Sequence, residues 1–168
     1  MQLAGLQPKL EALGIKALGV LSSDEERARV YFRARPTSLA LAADATRSVQ
    51  RAFRVPCLSS VSRAAAVGPG WPQQATLEEL RRVKLDPGGE LGAPTPVPEA
   101  RVELNRRDGF EMTFEDEHMR AQGHQWLGLF LIDRDGIIRW RWVEAMHSPE
   151  TVRTFPAETE LLDAARAI

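Results

Sequence analysis

The segment QWLGLFLIDRDGIIRWRWVEA constrains the fold more than any other part of the chain. Its apolar run from Leu127 to Ile132 meets Asp133-Arg134-Asp135-Gly136, and a second run follows from Ile137 to Val143. Two β-compatible runs around such a turn predict a β-hairpin: Gly supplies the positive φ of a tight turn, and Asp bonds the backbone that follows it. LGLFLI, six residues, is among the longest unbroken apolar runs, whereas a helix crossing a bilayer needs roughly 20. No membrane span is expected.

Upstream, helical and extended patterns alternate. Leu3, Leu6, Leu10 and Leu13 recur at steps of three and four, the spacing of one buried helix face, and Gly14 ends that helix. Ile15 to Ser22 is a short apolar run that suits a strand covered on both faces. Ser23 as N-cap with Glu26 three positions later forms a capping box, predicting a helix from Asp24 to about Ala34 that Pro36 stops. Ser38 to Asp44 reads as a second strand, and Thr46 to Phe53 as a helix with Val49 and Phe53 inward. This order predicts an α/β fold with parallel strands and crossover helices.

The pattern weakens between Cys57 and Gln125. Thr76 to Leu85 looks helical, and the Pro- and Gly-rich Asp86 to Glu99 reads as loop. The tail FPAETELLDAARAI predicts a last helix burying Leu161, Leu162 and Ala165.

Composition removes several function classes. Net charge is −1, with 22 basic against 23 acidic residues, so no basic surplus is available for a phosphate backbone and nucleic acid is not an expected partner. Cys57 is the single cysteine, which excludes an internal disulfide and a Cys-rich zinc site and leaves one thiol for redox chemistry. No G-x-G-x-x-G, P-loop or G-x-S-x-G pattern occurs, so no nucleotide or other bound cofactor is expected. MQLAGLQPKL lacks the basic and apolar regions of a signal peptide, which places the expected location in the cytoplasm.

Three segments in this order resemble the thioredoxin-like redoxins, specifically the alkyl hydroperoxide reductase/thiol-specific antioxidant group of peroxiredoxin-like proteins. LQPKLEALGIKALGVLSSDEE is similar to the helix after the active-site cysteine and the next strand. LALAADATRSVQRAFRVP is similar to the group's strand, Asp, helix, Phe/Tyr-Gly-Val segment, and LFLIDRDGIIRW to its hairpin. The resemblance covers Leu3 to Pro56 and Trp126 to Ile168. It implies an α/β, thioredoxin-like fold over a single domain, 1–168, with 56–125 as an irregular insertion before the C-terminal hairpin and helix. The implied activity is thiol-dependent reduction of peroxide or disulfide, with an external thiol reductant and no bound cofactor.

In that group the reactive cysteine stands in a PxxxTxxC or CxxC loop just before the helix that here begins near Met1. The helix dipole there favours the thiolate, which is the nucleophile. The N-terminal strand and active-site loop are not matched by any segment of this sequence. The cis-Pro or Arg that the group places near the start of the strand before the hairpin also has no counterpart around Leu127. The expectations are that Met1 is an internal methionine of a longer protein, and that the chain as it stands has little peroxidase activity. The unmatched strand would lie between the strand at Ile15 to Ser22 and the hairpin, so both neighbours are expected to show open edges that invite homodimerisation. A non-catalytic interaction module on the same scaffold is the alternative.

Candidate residues divide accordingly. Cys57 is the redox candidate, as a resolving or sensor thiol, against a small buried hydrophobe. His118, His124 and His147, with Asp116 and Glu117, lack metal-ligand spacing and read as a charged surface, so no metal is expected. Trp140 and Trp142 share a strand face with Ile138, opposite Arg139 and Arg141, and read as packing residues rather than a cation-aromatic binding strip. Asp133 and Asp135 read as turn formers.

Overall fold

The computed structural model describes residues 2–55, 57–58, 82–85, 91–109, 124–144 and 154–168, which mix helix and strand in the manner of an α/β chain. The chain divides into two compact units. One takes Met1–Val55, Leu127–Val143 and Phe155–Ile168, the other Pro56–Trp126 and Glu144–Thr154.

In the first unit, α1 (Gln2–Ala12) carries the expected leucine face. Leu6 and Leu10 are buried, but Leu13 lies beyond the helix end and is exposed. Gly14 adopts φ 77°, and the bonds Gly14 N–H to Glu11 O and Ile15 N–H to Leu10 O close the helix as a Schellman motif. Strand β1 (Leu18–Leu21) and helix α2 (Glu25–Ala34) follow. The N-cap of α2 is Asp24, not the expected Ser23. Asp24 Oδ1 accepts the Arg27 N–H at 2.8 Å, satisfying the third amide of the helix, while Ser23 Oγ donates to the Asp24 carbonyl.

Strand β2 (Ala40–Ala43) pairs parallel with β1, in register Leu18 to Ala40 through Leu21 to Ala43, with α2 as the crossover. The expectation that β1 is covered on both faces is not met. None of its residues is buried, and Leu18 is 59% exposed. Helix α3 (Ser48–Ala52) is shorter than its sequence pattern, and it turns Gln50 rather than Val49 inward. Val49 is 37% exposed.

Strands β7 (Gly128–Ile132) and β8 (Ile138–Val143) form the expected antiparallel hairpin. An irregularity between Leu131 and Ile132 sets Leu131 opposite Trp140 but Ile132 opposite Ile138, so the facing residues change at the turn end. Helix α5 (Glu158–Arg166) buries Leu161, Leu162 and Ala165, as its spacing predicts. These three join Leu6, Leu10 and Leu131 in one apolar cluster, with Ile15, Trp140 and Phe155 packed against it. The other hairpin face meets Phe53, whose ring stands edge-on to Phe130 at 4.8 Å between centroids. The hairpin is thus held between α1 and α5 on one side and the end of α3 on the other.

In the second unit, β3 (Cys57–Leu58) pairs antiparallel with β6 (His124–Gln125), and β4 (Lys84–Leu85) with β5 (Thr95–Pro96). Helix α4 (Val97–Arg107) lies against β4 and β5 and buries Ala100 completely. Two expectations change here. The helix predicted over Thr76 to Leu85 does not reach its end, because Lys84 and Leu85 are extended; residues 76–81 lie outside the described residues. Of the predicted loop over Asp86 to Glu99, residues 86–90 lie outside the described residues, and the later part gives way to β5 and the start of α4. Pro98 sits in the first turn, where the missing N–H costs no helical bond, and Glu99 faces the positive end of the dipole. Among the described residues, no helix is long and apolar enough to cross a membrane.

Candidate functional site

The sole thiol is carried on the shortest kind of ladder. Cys57 stands opposite Gln125, and Leu58 opposite His124, in the two-residue pairing of β3 with β6. Cys57 and His124 are therefore brought to neighbouring rungs, a relation that their 67-residue separation in sequence concealed. His118, His147, Asp116 and Glu117 lie outside the described residues. Among the described residues no group of three His, Cys, Asp or Glu side chains is placed to hold a metal ion.

The RWRW strand packs as its alternation predicts. Trp142 is 9% exposed and Trp140 lies against the core cluster, while Arg139 and Arg141 are exposed. Arg139 Nε meets Asp133 Oδ2 at 2.6 Å, so this cation is engaged within its own hairpin. Asp133 Oδ1 also accepts the Asp135 and Ile137 N–H groups, both at 2.9 Å. The Ile137 N–H, the Arg139 guanidinium and the Asp135 N–H hold its carboxyl below the ordinary 3.8, outweighing partial desolvation. An acceptor with these bonds filled is a turn lock rather than a proton-transfer group.

In the sequence, Asp44 stands out only as the strand-end Asp of the strand, Asp, helix segment, and Gln50 not at all. Asp44 ends β2, with its N–H bonded to the Leu21 carbonyl at 2.8 Å. Its carboxylate accepts from Thr46 Oγ1 at 3.0 Å, Ser48 Oγ at 3.1 Å and the Val49 N–H at 2.8 Å. Partial desolvation raises its pKa, but the Val49, Ser48 and Thr46 bonds outweigh it and leave the net shift downward. The sequence signal was present: an Asp at a strand end with hydroxyl residues at the second and fourth positions beyond it is able to tie a helix start to a strand end. Gln50 Oε1 is buried without a hydrogen-bond partner among the described residues, and periodicity alone gives no sign of it.

Arg54 adopts φ 55°, in the left-handed region that favours glycine. The bond from Val55 N–H to the Gln50 carbonyl at 2.8 Å turns the chain there and brings Val55 against Gly128. Comparison with protein-family models, curated proteins and solved structures yields no match.

Proposed function

We propose that this chain is a thioredoxin-like redoxin of the alkyl hydroperoxide reductase/thiol-specific antioxidant group, and that its own thiol does not carry a peroxidase step. The observation that carries the reading is Arg54. Phe53-Arg54-Val55 replaces the Phe/Tyr-Gly-Val of that group, and Arg54 still holds the positive φ for which glycine is suited. The parallel β1 and β2 with α2 between them, followed by an antiparallel hairpin and a closing helix, support the same scaffold.

Peroxide reduction by such a protein needs a thiolate that attacks the O–O bond, forming a sulfenic acid and releasing water or an alcohol. An external thiol then condenses with the sulfenic acid, losing water, and a second thiol releases the cysteine as the donor disulfide forms. That chemistry rests on a cysteine activated at a helix start. The backbone of Cys57 is instead a rung of the β3–β6 ladder. With hydrogen peroxide and dithiothreitol, the chain is expected to show no turnover that depends on Cys57. Turnover abolished by Cys57→Ser overturns the second half of the proposal.

A second reading, a non-catalytic interaction module with a second copy of the chain as its first candidate partner, is favoured by one observation. The β1–β2 and β7–β8 pairs are separate two-stranded sheets, each with open edges among the described residues, and β1 leaves Leu18 largely in solvent. In the scaffold proposed above, a further strand stands between β1 and β7.

A further inference from the structure

We draw no further inference here: the strongest candidate, the open edge of the parallel β1–β2 sheet with its exposed Leu18, already belongs to the interaction reading above, and nothing in the structure shows what covers it.

Discussion

At the scale of single residues, backbone conformation and close approach are decisive at Arg54 and Gly128. A non-glycine residue in the left-handed region costs about 1–2 kcal/mol, and glycine returns about 0.4–1 of that through greater freedom of the unfolded chain. Arg54→Gly is therefore expected to raise stability by up to about 1 kcal/mol, read from urea midpoints at unchanged slope. A destabilised variant would show that the Arg54 side chain contributes more than its backbone costs. Gly128 is the converse. A Cβ there would stand 2.8 Å from Val55 Cγ2 and 2.9 Å from Phe130 Cε2. Val55 is stiff at χ1, and the Phe130 ring is braced by Phe53. Overpacking of this kind costs about 1–3 kcal/mol, so Gly128→Ala is expected to lower the urea midpoint. An unchanged midpoint would mean that the turn after α3 yields freely.

At the scale of elements, the β7–β8 turn depends on one carboxylate. The Asp133 pKa is depressed on folding, so its contribution is present above the unfolded value and is lost as pH falls through the folded value. Hydrogen exchange at the Asp135 and Ile137 amides, corrected for its intrinsic pH dependence, is expected to lose protection below about pH 4. In Asp133→Asn the protection should be lower already at pH 7 and show no such acid step. An identical profile in both proteins would assign the turn to Gly136 and the strand register instead. Helix α5 was legible in the sequence because its apolar spacing and burial coincide, Leu161, Leu162 and Ala165 all falling in one cluster, whereas the hairpin was legible from its turn, since Ile132, Ile137 and Ile138 stay exposed. Where two chemically similar signals compete, the reading slips by one, as with Ser23 and Asp24 at the start of α2. In α3 it fails differently, because the polar Gln50 is buried and the apolar Val49 is not, against the order of hydropathy. Helix α4 was hidden for a different reason. Prolines mark loops and first helical turns alike, and only the position of Pro98 relative to the bonds that follow separates the two. Asp44, Thr46 and Ser48 stand at a suggestive spacing in the sequence, but that their bonds join the end of β2 to the start of α3 follows only from where those two elements end and begin.

At the scale of the whole molecule, two short ribbons pose an energetic problem that their sequences do not resolve alone. Isolated two-stranded sheets are marginal in water, and parallel strands are ordinarily buried on both faces. Here LGVL pairs with ALAA without burying any residue of β1. Among the described residues no second strand pairs with β1, so its edge away from β2 sets backbone groups beside an apolar side chain, the combination that promotes strand pairing between molecules. Self-association is therefore expected, seen as a rise in sedimentation coefficient with concentration. A charge on the edge opposes pairing, and Leu18 is 59% exposed, so a lysine there should be tolerated by the monomer. Leu18→Lys is expected to shift the equilibrium toward monomer while leaving the far-ultraviolet circular dichroism unchanged. If the native chain sediments as a monomer at every concentration, the β1 edge is satisfied within one molecule and the self-association reading fails. If it associates but Leu18→Lys associates equally, the contact lies on another surface. Neither outcome bears on Cys57, so the oligomeric state and the thiol chemistry test the two readings separately.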